Sequence, residues 1–286
     1  MPLSTLHLST FAAVAEAGSF TRAADTLACV QSAVTSRIAA LEREVGGALF
    51  VRSRSGVTLT PRGERLAVHA RRILALHALA EADCRGVEDG PTHLRLGAME
   101  STAAARLPAV LQRVAAARSD LRLALTTGTT DELVRAVEGG RLEAAFVAAP
   151  VEGLALAARP VFEERLVAIA ARSGPVPAVL IAFRHGCAYR AVGERWWRTT
   201  GRGPFDFAEI GSLDAMIGCA AAGMGVAVVP ERVAEDSRHR PLLSVEPLPD
   251  PLGRATTLLV ARRDLLELPA LADALDLLCE AATAVG

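Results

Sequence analysis

Residues 31–46, QSAVTSRIAALEREVG, form an amphipathic helical pattern with a polar leading end. Val34, Ile38, Leu41 and Val45 recur at the spacing of one helix face, which predicts that they pack against a core. Glutamine and arginine can each form paired hydrogen bonds with base edges, and hydroxyls reach bases or phosphates. The exposed leading residues, which we expect to contact DNA, are Gln31, Ser32, Thr35, Ser36 and Arg37.

The segments before this helix predict two further short helices. Between residues 4 and 17 the apolar residues recur at helical spacing, and Gly18 ends that helix. Ser19 or Thr21 can cap the next one, TRAADTLA, which stops at a brief break before residue 31. Two short helices joined by a tight break predict a helix-turn-helix unit, whose second helix enters the major groove of DNA.

A β-hairpin is predicted to follow in ALFVRSRSGVTLTPRG, residues 48–63. Its two strands flank a Ser-Gly turn and would form a wing beside the helices. Arg52 and Arg54 alternate along the first strand, where they would contact the DNA backbone next to the groove. On spacing alone, a small helical cap with a hairpin is the alternative interpretation of this region.

The charge of the chain is unevenly distributed. Its 31 basic residues, all arginine, and its 32 acids give a formal net charge of −1, which argues against a protein coated with nucleic acid. Residues 1–72 hold nine arginines and five acids, a net of +4, so the rest of the chain carries −5. A basic head on a mildly acidic body is expected when only the head meets phosphate.

The stretch FAAVAEAGSFTRAADTLACVQSAVTSRIAALEREVGGALFVRSRSGVTLTPRGERL, residues 11–66, resembles the DNA-binding domain of LysR-type transcriptional regulators. The residues that carry the resemblance are Gly18, Ser19, Phe20, Ala23, Ala24, Gln31, Ser32, Ala33, Val34, Ile38, Leu41, Glu42, Gly46, Leu49, Phe50, Arg52, Leu59, Thr60 and Gly63. The resemblance implies DNA contacts through a set of matching positions: Gln31, Ser32, Thr35 and Ser36, with Arg37 beside them and Arg52 and Arg54 in the wing.

Two positions depart from the family pattern. The family usually has a serine just before Gln31, where it can cap the recognition helix, and Val30 cannot do so. The family also often has arginine at the position of Ser36, whereas this chain has Arg37 one residue later, about 100° further around the helix. The resemblance therefore leaves the individual operator contacts undetermined.

Residues 60–90, TPRGERLAVHARRILALHALAEADCRGVEDG, predict a long helix with Thr60 as its N-cap and Pro61 at its first position. The apolar residues that recur every seven positions are Leu66, Ile73, Ala80 and Val87. A long amphipathic helix outside a domain needs a partner to cover its apolar stripe. In the resembled family this linker helix pairs two subunits; packing onto its own domain is the alternative.

From about residue 92, predicted strands alternate with predicted helices, which indicates βαβ units and open parallel sheets. Their order resembles the two-lobed, periplasmic-binding-protein-like effector domain of the same family over essentially all of the remaining chain. VEGGRLEAAFV and AAGMGVAVVPERV are recurring family phrases. The chain crosses twice between the lobes in that fold, and we place lobe I at residues 91–161 and 267–286 and lobe II at residues 162–266.

Three strand-to-helix corners are expected to face the cleft between the lobes, because ligands of such sheets bind at the carboxyl ends of strands. They are MEST (99–102), TTGTT (126–130) and FRHGCAYR (183–190). Helix N-termini favour anions, so we expect a small anionic effector. The candidate effector-binding residues are Met99, Ser101, Thr102, Thr127, Thr129, Cys187, Tyr189, Arg190 and Gly225.

Each of these candidates also has a purely structural interpretation. The serines and threonines could be ordinary N-caps, and Tyr189 could belong to the core behind a plain strand-to-helix turn. Gly225, together with Gly223, could serve a turn and a close backbone approach rather than a ligand.

Cys187 raises two alternative functions. With His185 it could form the nucleophile of an enzyme, but side chains two residues apart need not meet, and no oxyanion signature accompanies them. A cysteine at a helix N-terminus has a lowered pKa, so thiol-based redox sensing stays open, although no resolving cysteine is near in sequence. The five scattered cysteines have no metal-ligand spacing, and we expect neither a metal nor a cofactor.

The sequence as a whole predicts an α/β chain with a winged helix-turn-helix (1–59), a linker and dimerisation helix (60–90) and an effector-binding domain (91–286). We expect a cytoplasmic regulator rather than an enzyme, because the first residues lack a signal-peptide pattern and the apolar stretches are too short to span a membrane. The expected partners are promoter DNA, a small-molecule effector and further copies of the chain, as a dimer through the linker helix and then a tetramer. RNA polymerase is a further candidate partner.

Overall fold

The computed structural model describes residues 3–53, 56–84, 93–151 and 155–285. Contacts divide the chain into two compact units, Met1–Asp89 and, for most of the rest, Gly90–Glu138 with Leu142–Gly286. Arg54 of the predicted wing and Val87 of the predicted linker stripe lie outside the described residues. Within the described ranges, no helix is both long enough and apolar enough to cross a membrane.

The N-terminal unit is a winged helix-turn-helix followed by a long helix, as the sequence predicts. Its elements in chain order are α1 (Thr5–Ala17), α2 (Phe20–Thr26), α3 (Gln31–Glu44), β1 (Phe50–Ser53), β2 (Gly56–Leu59) and α4 (Pro61–Cys84). Gly18 ends α1 in the left-handed conformation, with φ of 59°. The Ser19 hydroxyl accepts a hydrogen bond from the Arg22 amide at 3.4 Å, so Ser19 rather than Thr21 caps α2.

The helices and the hairpin of this unit share one hydrophobic core. Phe11 of α1 and Phe50 of β1 meet in it, with ring centroids 5.2 Å apart. The residues that α3 buries are Val34, Ile38 and Leu41, which are members of the face predicted from the sequence spacing. Burial of this face leaves the opposite face of α3 toward solvent.

Helix α4 begins where the sequence predicts. The Thr60 hydroxyl accepts a hydrogen bond from the Gly63 amide at 3.0 Å, which caps the helix. A Cβ atom on Gly63 would lie 2.2 Å from the Leu49 carbonyl oxygen, so this close approach requires glycine. Further along α4, Ile73 and Leu76 are 38% and 56% exposed. Apolar side chains left exposed on one helix are typical of a surface that another chain covers.

The second unit is α/β. Its elements are β3 (His93–Ala98), α5 (Glu100–Ala105), α6 (Leu107–Ala117), β4 (Arg122–Thr127), α7 (Thr130–Glu138), β5 (Ala144–Ala148), β6 (Leu156–Ala171), β7 (Val179–Ala182), α8 (Ala188–Thr199), β8 (Asp206–Glu209), α9 (Leu213–Ala221), β9 (Val226–Pro230), α10 (Glu231–Glu235), β10 (Leu243–Pro247), β11 (Arg254–Arg262) and α11 (Pro269–Thr283). Hydrogen bonds join the strands in the order β4-β3-β5-β11-β6-β9-β7-β8, and β10 also pairs with β6.

Each lobe contains a parallel three-stranded set. In lobe I, β3 pairs in parallel with β4 and β5, and in lobe II, β7 pairs in parallel with β8 and β9. The remaining strands pair antiparallel, so each sheet is mixed. Parallel strands have their carboxyl ends at one edge, which places the corners after β3, β4 and β7 at the cleft.

The two crossings between the lobes differ from the predicted positions. β6 pairs with β11 as far as Arg165 and with β9 from Leu166, so the first crossing lies near residue 165 rather than 161. β11 pairs with β5 of lobe I, so the chain has returned before Arg254 and not at residue 267. The sequence could not show this, because an apolar strand pattern does not reveal which distant strand becomes its neighbour.

The buried face of α3 yields a stability prediction. Leu41 is fully buried, so we expect Leu41→Ala to lower the free energy of unfolding of the N-terminal unit by about 2–5 kcal/mol, through lost burial and a residual cavity. Urea unfolding followed by circular dichroism measures the change. Leu6→Ala is the matched control because Leu6 of α1 is 52% exposed, and equal losses in both variants would contradict the assigned core.

Candidate functional site

The leading end of α3 is a polar, largely exposed surface. Gln31, Ser32 and Ser36 are exposed, whereas Thr35 and Arg37 are partly buried. The Thr35 hydroxyl donates a hydrogen bond to the Gln31 carbonyl oxygen at 3.0 Å, one turn back along the helix. The predicted residues therefore share one end of α3, and three of them present their side chains to solvent.

The start of α3 lacks the usual side-chain cap, as its sequence predicts. Val30 occupies the N-cap position, forms no capping hydrogen bond and is 68% exposed. Instead, the Thr21 hydroxyl of α2 donates to Gln31 Oε1 at 3.3 Å. This contact ties the first residue of α3 to the preceding helix, and it places Thr21 beside the predicted DNA-contacting residues. Sequence reasoning considered Thr21 only as a cap.

The hairpin that follows has the predicted two strands. Arg52 lies in β1 opposite Val57 of β2. The second predicted wing arginine, Arg54, belongs to residues that the structure does not describe.

The second candidate site is a pocket of about 70 Å³ lined by both lobes. A water molecule needs roughly 10–15 Å³ of such space, so the pocket holds roughly five waters or a ligand with a similar number of non-hydrogen atoms. Three corners form it, after β3, β4 and β7, as the sequence predicts. The predicted residues that line it are Met99, Ser101, Thr127, Thr129, Cys187 and Tyr189.

Three predicted effector residues do not line this pocket. Thr102 follows Ser101 on α5, and neighbouring helical residues point about 100° apart, so Thr102 is buried elsewhere. Gly225 lies at the start of β9, where a Cβ would be 2.4 Å from the Val179 carbonyl oxygen. Its role is therefore the close backbone approach of two strands.

Arg190 is the third, because its guanidinium is already bound within lobe II. It donates to the Phe183 carbonyl oxygen and to carboxylate oxygens of Glu194 and Glu209, each at 3.2 Å. It also lies over the ring of Phe207, with 4.4 Å from guanidinium carbon to ring centroid.

The N-terminus of α7 is closed by its own residues. The Thr129 hydroxyl accepts a hydrogen bond from the Glu132 amide at 3.4 Å, and Glu132 Oε2 accepts one from the Thr129 amide at 3.0 Å. This reciprocal arrangement is a capping box. Thr129 therefore has the structural role of an N-cap even though it lines the pocket.

Glu132 also joins the two lobes. Arg184 of lobe II donates to it through Nε at 2.9 Å and through Nη2 at 2.7 Å. The guanidinium and the amide of Thr129 lower the pKa of Glu132 to about 2, so this carboxylate stays ionised at neutral pH. We call this contact the inter-lobe ion pair.

Two further hydrogen bonds cross between the lobes at the pocket. The Leu213 amide, at the start of α9, donates to Glu100 Oε2 of α5 at 3.0 Å. The Asp131 amide of α7 donates to the Gly186 carbonyl oxygen at 3.4 Å. Together with the inter-lobe ion pair, these bonds hold the cleft in a closed arrangement.

Tyr189 forms the back of the pocket and is fully buried between polar neighbours. Burial, together with the negative charge of Glu164, raises the pKa of Tyr189 well above its ordinary value. Its hydroxyl lies beside the hydroxyls of Ser101 and Thr257 and stays protonated, so it can both donate and accept hydrogen bonds. The tyrosine contributes a neutral polar group to the pocket.

The structure corrects the expectation that Cys187 has a lowered pKa. Burial raises the pKa of the Cys187 thiol, and this outweighs the opposite effect of the Tyr189 and Arg190 amides at the start of α8. A protonated thiol is a poor nucleophile and oxidises slowly. The other cysteines whose state is described, Cys29, Cys219 and Cys279, are also free thiols. This environment gives no support to redox or enzymatic chemistry at Cys187.

Sequence reasoning missed seven residues that line the pocket: Glu100, Gly128, Thr130, Phe183, Arg184, Ala188 and Gly211. Six of them lie inside or next to the three predicted corners, so the signal was present, but their side-chain directions were not. Gly211 lies at the start of α9, which was not predicted to reach the cleft. Among the described residues, no group of three or more His, Cys, Asp or Glu side chains could hold a metal ion.

Comparison with known proteins gives consistent findings. The family model for the LysR substrate binding domain matches residues 88–283, and the model for bacterial regulatory helix-turn-helix proteins of the lysR family matches residues 6–64. The HTH-type transcriptional regulator GltR of Bacillus subtilis is 33% identical over 274 residues, 92% of each chain.

Two solved structures show a similar fold at low sequence identity. Full-length OxyR from Pseudomonas aeruginosa aligns with a TM-score of 0.77 and 22% identity, covering 99% of this chain and 95% of its own. Full-length CbnR in complex with its target DNA aligns with a TM-score of 0.66 and 22% identity, covering 98% of this chain and all of its own length, 100%.

The inter-lobe ion pair yields a prediction of pH dependence. The folded-state pKa of Glu132, about 2, lies below its ordinary value of 4.5, so its stabilisation is complete above 4.5 and is lost as pH falls toward 2. The Arg184 and Glu132 side chains are 50% and 38% exposed, so solvent screening limits this contribution to about 0.5–1 kcal/mol. We expect Glu132→Gln to be less stable than the parent protein near pH 7 and to approach it near pH 3.

Urea unfolding at both pH values measures this difference. The matched control is Glu235→Gln, because Glu235 of α10 is exposed. A gap between Glu132→Gln and the parent protein that stays constant from pH 7 to pH 3 would show that the carboxylate charge is not what stabilises the closed cleft.

Proposed function

Because the chain belongs to the LysR family of transcriptional regulators, we propose that it reads promoter DNA with the leading end of α3 and senses a small effector between its lobes. The chain is a DNA-binding regulator with an effector-binding domain, and not an enzyme. The observation that carries the proposed sensing role is the pocket to which both lobes contribute side chains. A ligand that contacts both lobes stabilises one arrangement over the other, and this difference in affinity is what regulation requires.

The proposed DNA contacts divide into base contacts and backbone contacts. Gln31 is suited to pair with an adenine edge, and the hydroxyls of Ser32, Thr35 and Ser36 to reach bases or phosphates. Arginines 37, 52 and 54 would contact bases or the flanking backbone. The exposure of the α3 leading end supports this assignment, and the contact from Thr21 supports a fixed direction for the Gln31 side chain.

The proposed effector site comprises Met99, Ser101, Thr127, Thr129, Cys187 and Tyr189. Hydroxyls from both lobes supply hydrogen bonds, while the methionine and cysteine supply apolar contact. The small volume of the pocket supports an effector of a few non-hydrogen atoms. Such a ligand would add contacts to the closed arrangement of the lobes and so increase its population.

The proposed assembly is a dimer paired through α4, with a tetramer as the larger form. The exposed Ile73 and Leu76 support pairing through this helix. A dimer presents two recognition helices, which suits a two-fold DNA site. Effector binding would change how the subunits are arranged and therefore the spacing or bend imposed on DNA. The regulator would act in the cytoplasm on promoter DNA, with RNA polymerase as a further partner.

The recognition assignment predicts that Gln31→Ala weakens specific DNA binding about tenfold or more, because one paired base contact contributes about 1–3 kcal/mol of discrimination. The measurement is the affinity for a DNA site selected from a random library by the parent protein, compared with unrelated DNA at the same salt concentration. Gln112→Ala, on exposed Gln112 of α6, is the matched control. Retention of full specificity by the Gln31 variant would refute the assignment.

The effector assignment predicts that at least one small carboxylate, amino acid or amine raises the melting temperature and changes DNA affinity. Thr127→Val should weaken the binding of each such compound about fivefold, the loss expected for one neutral hydrogen bond. The matched control is Thr126→Val, because neighbouring residues of β4 point to opposite faces and Thr126 does not line the pocket. If no compound of any class changes DNA binding, or both variants behave alike, the cleft is not the sensing site.

A further inference from the structure

The charges that line the pocket do not balance. Among its lining residues, all of them described, Arg184 carries the positive charge and Glu100 the negative one. Arg184 is not available to a ligand in this arrangement, because the Glu132 carboxylate binds its Nε and Nη2 atoms at 2.9 and 2.7 Å. The inter-lobe ion pair thus neutralises the cation that an anionic effector would be expected to use.

Glu100 is in a different situation. It is partly buried at the start of α5, and one of its oxygens accepts the Leu213 amide at 3.0 Å. Within the described part of the chain, no arginine or histidine forms an ion pair with this carboxylate. A carboxylate drawn from water into a pocket without a counter-charge loses solvation that one amide bond does not restore.

The other ionisable groups near the pocket do not supply the missing charge. Glu132 repeats the negative sign, and Arg190 is held by Glu194 and Glu209 inside lobe II. Burial keeps the Cys187 and Tyr189 side chains in their neutral forms. The pocket with its immediate ion pair therefore has one more negative than positive charge.

We infer that the effector carries a protonated amino group, which the Glu100 carboxylate binds, so that the site selects small amines and amino acids over simple carboxylates. This inference rests on the proposed function, in which the pocket holds the effector. An ammonium group donates three hydrogen bonds and provides the counter-charge that Glu100 lacks. The hydroxyls of Ser101 and Thr127 remain for the rest of the molecule. The expectation of an anion from helix N-termini alone is replaced by a requirement for the amine.

The test uses four compounds of similar size that differ in their charged groups. L-Alanine has an ammonium and a carboxylate, lactate replaces the ammonium with a hydroxyl, ethylamine has only the ammonium, and propionate only the carboxylate. Binding to the full-length protein is measured by calorimetry and by thermal shift at millimolar concentrations. We expect alanine and ethylamine to bind and to raise the melting temperature, and lactate and propionate to bind at least about tenfold more weakly.

The variant Glu100→Gln separates charge from structure. The glutamine carbonyl can still accept the Leu213 amide, so the contact between the lobes is kept while the negative charge is removed. We expect affinity for the two amine-bearing compounds to fall about tenfold and the preference over lactate to disappear. Glu280→Gln, on exposed Glu280 of α11, is the matched control and should retain the preference.

The outcomes distinguish this inference from the proposed function. A glutamate in the first turn also stabilises a helix, and if that were its whole role, Glu100→Gln would lower the melting temperature of the free protein without altering ligand preference. That result, or equal or tighter binding of lactate and propionate, overturns the inference. If those carboxylates also change DNA binding, the proposed effector function stands without the amine requirement. Failure of all four compounds to bind overturns the inference, and the broader screen then judges the proposed function separately.

Discussion

Strands β6 and β11 form the constraint on which the second unit depends. They pair antiparallel from Arg254 opposite Arg165 to Arg262 opposite Leu156. β6 then continues into lobe II, where it pairs with both β9 and β10. One unbroken strand therefore belongs to both sheets, and the cleft can open or close only by bending where β6 changes partners. Corners that are far apart in sequence face each other because this strand sets the two sheets side by side.

A buried ion pair lies close to that point. Arg106, at the junction of α5 and α6, donates to the Glu164 carboxylate of β6 at 2.9 and 3.1 Å, and the two residues are 8% and 7% exposed. Two charges this deep cost solvation, and only the paired geometry compensates for it. The guanidinium also lies over the Phe162 ring, which holds its plane. The helix that carries Ser101 is thus anchored to the strand that both lobes share, next to the buried Tyr189.

The contacts across the cleft explain why its chemistry differs from the expectation of an anion site. Helix N-termini and an arginine near a pocket favour anions when they are free. Here the end of α7 is occupied by the carboxylate of Glu132, which simultaneously binds Arg184 from the opposite lobe. One side chain thus uses up two features that would otherwise attract an anion. The charge that remains for a ligand is that of Glu100.

The amino-acid sequence by itself determined the order and type of the elements and the residues at the three corners. Local rules decide these features: the spacing of Val34, Ile38 and Leu41 defines the buried face of α3, and Thr60 with Pro61 defines the start of α4. The same rules showed that Val30 could not cap α3. Most of the pocket residues lie in or beside stretches that the alternation of strands and helices had marked.

Only the tertiary structure decided which of those side chains meet and with what charge. The partners Glu132 and Arg184 are 52 residues apart, and Glu100 and Leu213 are 113 apart, so no local pattern could pair them. The same holds for β11, whose return to lobe I depends on its register with β5. The pKa of Cys187 follows from burial by neighbours distant in sequence, which reversed the effect expected from its place at a helix start. Sequence patterns report local conformation, whereas charge balance and burial depend on contacts that exist only after the chain has folded.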